Sequence, residues 1–379
     1  MSHIVRFIFV LFLILPPAIA PAALPVPAAP KVAAESYLLF DFNSGYVLAE
    51  KDIDKRLEPA SLTKMMTAYI VYSELATGNL NRDGVTVVSE KAWRMGGSRM
   101  FIEVDKEVSI EDLISGLIVQ SGNDASVALA EAIAGSEQQF ADVMNEYAAK
   151  LGMTGSNFVN STGLPHKDHY TTARDMGTLA QALIRDFPED YKRYAQREFT
   201  FNNIRQYNRN KLLWRDTSVD GIKTGHTEAA GYCLVASAER NDMRVISVLL
   251  GASSDKTRTK ESQRLLDYAF RFYKTQRVYA AGQSLDSPRI WNGAEDTLAL
   301  GLAEDLYVTV PRGQKSTLSS SLQYPNDIVA PVAQRQELGT LQVKLSDEVI
   351  AERPLVALTT VEEGGFFTRA VDTVLRYFR

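Results

Sequence analysis

The sequence predicts an α+β fold: one antiparallel sheet covered by helices, then a small all-β domain, then a C-terminal amphipathic helix. Two observations carry the first part. Strand-like alternation lies at both ends of residues 35–276, and apolar residues at helical spacing fill the stretch between, so the first and last segments meet in one sheet. A third observation carries the rest: residues 282–362 lose helical periodicity and break into short β-like runs punctuated by Pro and Gly.

Taken in order, the chain opens with Arg6, an apolar run over Phe7–Leu15 and an Ala/Pro-rich tract to Pro30. Residues 1–30 read as a signal peptide and tract, because the run is too short to span a bilayer and small residues suited to cleavage follow. Export is therefore expected. Ser36–Asp41 and Tyr46–Glu50 alternate around Asn43-Ser-Gly45 as a hairpin. Met65, Met66, Tyr69, Ile70 and Leu75 then repeat at helical spacing, with Pro59 placing the helix start near Ser61. Further helices are predicted over Ile110–Ile118, Asp124–Ala134, Glu137–Leu151 and Thr172–Arg185. Strand character returns at Val219–Lys223, Gly231–Ala238 and Arg244–Gly251, with Arg240-Asn-Asp242 as a turn, and a helix over Arg258–Tyr273 closes the region.

Leu306–Val310 and Thr340–Leu345 are typical of the β-like runs that follow. After Gly364-Gly365, the residues Phe366, Phe367, Ala370, Val371, Val374, Leu375 and Phe378 fall on one helical face, with Arg369, Asp372, Arg376 and Arg379 off it. As a helix, residues 364–379 rise only about 24 Å and carry several charges, which favours lying in a membrane interface over crossing it. The glycine pair would let this helix swing.

With 379 residues, 45% of them apolar, the chain can bury a substantial core. A net charge of −5 without a concentrated basic stretch argues against nucleic-acid binding. The single cysteine, Cys233, excludes an internal disulfide and sits in an apolar strand-like run, as buried filler would. His166 and His169 form no metal-ligand pattern with nearby Cys or acidic residues and are expected in solvated loops, so no metal and no cofactor is predicted.

Three short motifs occur in order: Ser61-Leu-Thr-Lys64, Ser121-Gly-Asn123 and Lys223-Thr-Gly225. A serine hydroxyl is a poor nucleophile until a base takes its proton, and Lys64 lies one helical turn beyond Ser61 on the same face. Lysine serves as a base only when neutral, which requires burial, a second cation such as Lys223, or the positive end of its helix. Ser121 and Asn123 occupy a loop at a helix boundary; the hydroxyl can relay a proton, and the amide offers a donor and an acceptor to a substrate peptide. Lys223, Thr224 and Gly225 end a strand where glycine permits close approach of another backbone, while charge and hydroxyl suit a terminal carboxylate. Backbone N–H groups near Ser61 and just beyond Gly225 can form an oxyanion hole. A second Ser-x-x-Lys, Ser253 to Lys256, lies in a polar loop after a strand and is expected to be solvated.

On these motifs the chain resembles the low-molecular-mass penicillin-binding proteins, specifically the D-alanyl-D-alanine carboxypeptidases of the bacterial envelope. The likeness runs from the signal peptide to the final helix. It includes Glu58-Pro-Ala-Ser-Leu-Thr-Lys64, Gln120-Ser-Gly-Asn-Asp124, Thr172-Ala-Arg-Asp175, Glu198-Phe-Thr-Phe201, Asn208-Arg-Asn210 and Val219-Asp-Gly-Ile-Lys-Thr-Gly-His226. The resemblance implies acylation of Ser61 by a peptidoglycan stem pentapeptide, release of the terminal D-alanine, hydrolysis by water, and covalent inhibition by β-lactam antibiotics. It implies that Lys64 accepts the proton, that Ser121 and Asn123 assist, and that Lys223 and Thr224 hold the carboxylate. His226 would position substrate and Arg209 would reinforce carboxylate binding. The final helix, residues 364–379, would hold the enzyme peripherally at the periplasmic face of the cytoplasmic membrane. A D,D-endopeptidase, a β-lactamase and a non-catalytic peptidoglycan-binding scaffold are the competing readings. Against the lactamase, no Glu-x-x-Leu-Asn segment of the kind used for deacylation is found.

Overall fold

The computed structural model describes residues 26–313 and 318–377. Most of the expected signal peptide, and Phe378 and Arg379 of the last helix, lie outside the described residues.

The five strands of the main sheet are β1 (Ser36–Asp41), β2 (Val47–Lys51), β3 (Val219–Thr227), β4 (Gly231–Arg240) and β5 (Met243–Ala252). They run antiparallel in the order β2-β1-β5-β4-β3, so the N-terminal hairpin joins the distant strands through the pairing of Leu38 with Val248. Asn241 and Asp242 make the β4–β5 turn with φ of 50° and 61°, a backbone that these two residue types tolerate better than most. Side chains alternate across the sheet. Leu38, Phe40, Ile246 and Val248 face one apolar cluster, and Leu39, Leu234, Ala236 and Val245 face the other.

Among the described residues, helices of at least 12 residues are α1 (Lys64–Thr77), α2 (Asn123–Ala134), α3 (Glu137–Lys150), α4 (Ala173–Asp186), α5 (Asp255–Phe272) and α6 (Phe366–Tyr377). Helices α1 to α4 fill the first cluster, and α5 covers the opposite face through Leu265, Leu266 and Ala269. Met65, Met66, Ile70, Val71 and Tyr72 are all at 0% exposure, so α1 is buried on every face from Lys64 to Tyr72 and runs through the interior. Whatever stands at its N-terminus is thereby carried into the protein.

Three local expectations are corrected. Ser61 precedes α1 in a 3-10 turn, Ala60–Thr63, because Pro59 and the positive φ of 47° at Ala60 break the regular helix there. The helix predicted over Ile110–Ile118 ends at Ser115 and widens into a π turn, Gly116–Gln120, whose first residue packs so tightly on Met100 that a Cβ would fall 2.2 Å from Sδ. β3 does not stop at Lys223 but continues to Thr227, paired with β4 as far as Gly231, so Lys-Thr-Gly lies inside the strand. Glycine here marks a close approach, not a strand end.

Strand Tyr273–Tyr279 crosses the expected boundary at residue 276 and pairs with Leu306–Pro311. The β region beyond it includes a four-stranded antiparallel sheet containing Leu318–Gln323, Glu337–Leu345 and Glu348–Ala357, and holds two apolar clusters of its own. Helix α6 does not swing free. Its Asp372, 6% exposed, accepts from Arg289 Nη2 at 2.8 Å and from the backbone N–H of Asn292 at 2.7 Å, fastening the polar face to the β region.

Candidate active site

The 3-10 turn brings the Ser61 hydroxyl beside the first residue of α1. Lys64 is 1% exposed, and its Nζ lies 3.3 Å from Ser61 Oγ, 2.7 Å from Asn123 Oδ1 and 2.6 Å from the carbonyl of Thr162. Burial lowers the Lys64 amine from 10.5 to about 7; Asp124 and Glu137 pull it back up, and Arg209 pushes it further down. The Thr162 carbonyl is aimed by Asn160, whose Oδ1 accepts from the backbone N–H of Thr162 at 3.2 Å and of Gly163 at 2.7 Å. Gly163 has φ +84° and abuts the Ser61 turn: a Cβ there would sit 1.8 Å from the Ala60 carbonyl oxygen.

Ser121 caps the π turn with φ 63°, an uncommon conformation for serine that turns its hydroxyl toward Lys223. Lys223 Nζ donates to Ser121 Oγ at 2.8 Å and to the Thr224 carbonyl at 3.1 Å. Burial holds this amine well below the usual lysine range, and the nearby cations Lys64, Arg209 and Arg258 add to the effect. Asn123 begins α2. Its Nδ2 donates to the Gly96 carbonyl at 2.7 Å while Oδ1 accepts from Lys64, so both ends of the amide are engaged within the protein instead of facing a substrate. The adjacent Asp124 takes the N–H groups of Met100 and Phe101 at 3.0 and 2.9 Å, fastening the Ser98–Ile102 loop to the start of α2.

The third side of the site is β3. Gly225 needs its missing side chain, since a Cβ would lie 2.9 Å from the Pro59 carbonyl; that contact is what sets the strand against the Ser61 turn. Thr224 is buried, and His226 is exposed with its ring 3.9 Å from that of Tyr232. Arg209 Nε reaches the Gln120 carbonyl at 3.3 Å, just before Ser121.

A cavity of about 400 Å³ opens over this convergence. Of the residues singled out in the sequence, Ser61, Ser121, Arg209, Thr224, Gly225 and His226 line it. Lys64, Asn123 and Lys223 form a buried layer, each at 5% exposure or less. Sequence reasoning missed Ser98, Lys211, Tyr232, Asp255 and Arg258, which also line the cavity, and the Thr162 carbonyl. Arg258 had a readable signal, the Asp255/Arg258 spacing on the first turn of a helix; a backbone carbonyl has none.

The competing Ser253 and Lys256 are exposed, and among the described residues Ser253 Oγ meets only Thr257, at 3.4 Å. Cys233 is fully buried, donates weakly to the Ala230 carbonyl at 3.5 Å, and is raised by burial to about 11, far from a thiolate nucleophile. His169 departs from expectation: it is 2% exposed, not solvated, because Thr63 Oγ1 at 2.8 Å and the Val159 N–H at 3.2 Å satisfy its two nitrogens. Burial lowers it to about 4, so it stays neutral and braces the residue before Lys64. Among the described residues, no group of three or more His, Cys, Asp or Glu side chains is placed to hold a metal ion.

A buried helix and the turn before it, presenting Ser-x-x-Lys to a sheet edge that carries Lys-Thr-Gly, with Ser-Gly-Asn between them, define the penicillin-binding class of serine enzymes. Comparison with known proteins narrows this. Residues 24–254 match the family described as D-alanyl-D-alanine carboxypeptidase, and residues 273–363 match the penicillin-binding protein 5 C-terminal domain. The carboxypeptidase DacA of Escherichia coli is 42% identical over 361 residues, covering 93% of this chain and 90% of that protein. The DacC enzyme of the same organism is 44% identical over 358 residues, covering 92% and 90%. Penicillin-binding protein 5 of Haemophilus influenzae superposes with a TM-score of 0.86 at 40% identity, over 89% of this chain and 100% of that one. The chain belongs to the D-alanyl-D-alanine carboxypeptidase family and is a peptidase of that specificity. Penicillin-binding protein D2 of Listeria monocytogenes, solved with ampicillin bound, matches with a TM-score of 0.59 at 31% identity over 64% of this chain and 100% of that one.

Proposed function

We propose that Ser61 is the nucleophile and Lys64 its base, acting on the penultimate D-alanine of a peptidoglycan stem pentapeptide. The observation that carries this reading is the bonding of Lys64. A neutral amine has two N–H donors and one lone pair. Asn123 Oδ1 at 2.7 Å and the Thr162 carbonyl at 2.6 Å take the donors, which leaves the lone pair for the Ser61 O–H. With a pKa of about 7, roughly half of the Lys64 amines are neutral at pH 7.

Two amines buried in one pocket favour a single shared proton, and a neutral Lys64 removes one of the causes that depress Lys223. Lys223 is then the charged partner. Ser61 Oγ attacks the carbonyl as its proton passes to Lys64, and the oxyanion is held by the N–H groups of Ser61 and His226 on the abutting turn and strand. The C–N bond breaks as Ser121 protonates the leaving amine and takes a proton from Lys223. In deacylation a water adds its hydroxide to the acyl group and its proton recharges Lys223, while Lys64 returns its proton to Ser61 Oγ. The departing carboxylate is read by Thr224 and Arg209, with Lys223 supplying charge, and His226 guides the peptide along the β3 edge. A penicillin acylates Ser61 by the same first step.

Placement at a membrane is the second part of the proposal. Phe366, Phe367, Val371 and Val374 on α6 are between 57% and 84% exposed, although the opposite face is bonded to the β region. Burying each such side chain in lipid contributes roughly 1.5–3 kcal/mol. No described helix is long and apolar enough to cross a membrane, which is consistent with a peripheral helix lying in the plane of the periplasmic leaflet. Fluorescent-penicillin labelling of the full chain tests the nucleophile: labelling is expected in the wild type and absent in Ser61→Ala, while labelling that survives the substitution contradicts the assignment.

A further inference from the structure

The cavity is lined in part by an ion-pair chain that the mechanism above does not use. Lys211 Nζ lies 2.5 Å from Asp255 Oδ2, Asp255 Oδ1 lies 2.6 Å from Arg258 Nη2, and Arg258 Nη1 donates to the Gly225 carbonyl at 2.9 Å. Lys211 follows Arg209 by two residues on a loop that is itself fixed to β3, since Asn210 Nδ2 donates to the Gly221 carbonyl at 2.9 Å. Asp255 and Arg258 stand on the first turn of α5. Three separate segments therefore meet beyond Arg209 and Thr224, and all three charged residues line the cavity.

The charges are unevenly matched. Asp255 is shared by Lys211 and Arg258, whereas among the described residues Arg209 bonds only the Gln120 carbonyl, through Nε, leaving its terminal nitrogens for a ligand. With the terminal carboxylate seated at Arg209 and Thr224 as proposed above, the Lys211–Asp255 bridge is a neighbouring wall of the same cavity. A terminal D-alanine carries only a methyl side chain, whereas a leaving residue whose side chain continues into a second stem peptide, as in a cross-link, needs a way out of a cavity lined by that bridge.

We infer that the Lys211–Asp255 ion pair is a specificity barrier that restricts the leaving group to a small terminal amino acid, making the enzyme a carboxypeptidase and not an endopeptidase. This rests on the proposed seat of the terminal carboxylate at Arg209 and Thr224. The buried Arg258 holds Asp255 in place, while Lys211, with its side chain 58% exposed, is the movable half. An exposed pair of this kind is weakened by salt.

The test compares kcat/KM for two peptides identical up to the penultimate D-alanine, one ending in D-alanine and the other in Nε-acetyl-D-lysine, whose acylated chain stands in for a cross-link. The ratio of long to short substrate is expected to rise about tenfold in Lys211→Ala. It should rise less in Lys211→Met, which keeps the stem but breaks the ion pair. In the wild type it should rise with ionic strength, an arm that needs no variant. A ratio constant within twofold across both variants and across salt overturns the inference. Absence of D-alanine release by the wild type would instead contradict the underlying reading of the site, so the two failures are distinct.

Discussion

Lys64 makes the most demanding prediction, because burial asks one lysine to be a base near neutrality. An unshifted lysine at 10.5 is neutral in roughly one molecule in 3,000 at pH 7, whereas at about 7 half are neutral. The interior therefore multiplies the active form by about 10³, equivalent to roughly 4–5 kcal/mol of barrier. The perturbation is pH, and the assay is the second-order rate of acylation by a fluorescent penicillin from pH 5 to 9 at fixed ionic strength. The rate should fall tenfold per unit well below the inflection near 7 and level off above 8. A second arm checks the cause. Glu137 raises the Lys64 pKa, and Glu137→Gln removes that charge while keeping an oxygen at Oε1 to accept from the Ser161 N–H and O–H, at 3.1 and 2.9 Å. The inflection should then move to lower pH. A flat profile, an inflection above 9, or a shift to higher pH in Glu137→Gln contradicts a burial-depressed Lys64 as the base.

Three further outcomes follow from the same geometry. Lys64→Met should be more stable to urea than the wild type, and by sign this advantage is full below pH 7 and narrows as pH rises from about 7 to 10.5, because over that window the unfolded chain holds a proton that the folded one has shed. Gly163→Ala should cost about 2 kcal/mol or more in a thermal melt and slow penicillin acylation, since its Cβ would strike the Ala60 carbonyl next to Ser61. Flotation of the full chain with vesicles should depend on Phe367, with Phe367→Asp largely released, and should change little with salt, because Arg369 and Arg376 are already paired with Glu363 and Asp327.

The readable parts of this protein were those in which side-chain chemistry repeats a local pattern. Alternation marked β1, β4 and β5, helical spacing marked α1 and α4, and motif order separated Ser61/Lys64 from the solvated Ser253/Lys256. What escaped was set by tertiary contact. Nothing local distinguishes Gly225 as a glycine inside a strand, because the need for it comes from the Pro59 carbonyl. The π turn before Ser121 arises from Gly116 packing on Met100. His169 looked like a loop residue among His166, Lys167 and Asp168, yet it turns inward to Thr63. Asn123 was legible as a site residue but not in its bonding, since Gly96 supplies its second partner from 27 residues away. The docking of α6 rests on Asp372, which the pattern placed only off the apolar face, and on the Arg376–Asp327 pair, neither of which a local pattern can show.

In the proposed reaction an amine-primed Ser61 opens a D-alanyl-D-alanine amide, and the amount of D-alanine freed from a stem pentapeptide measures that directly. One equivalent per peptide is expected from the wild type, with none from Ser61→Ala. Release that persists without the Ser61 hydroxyl, or a penicillin-reactive wild type that frees no D-alanine, would contradict it.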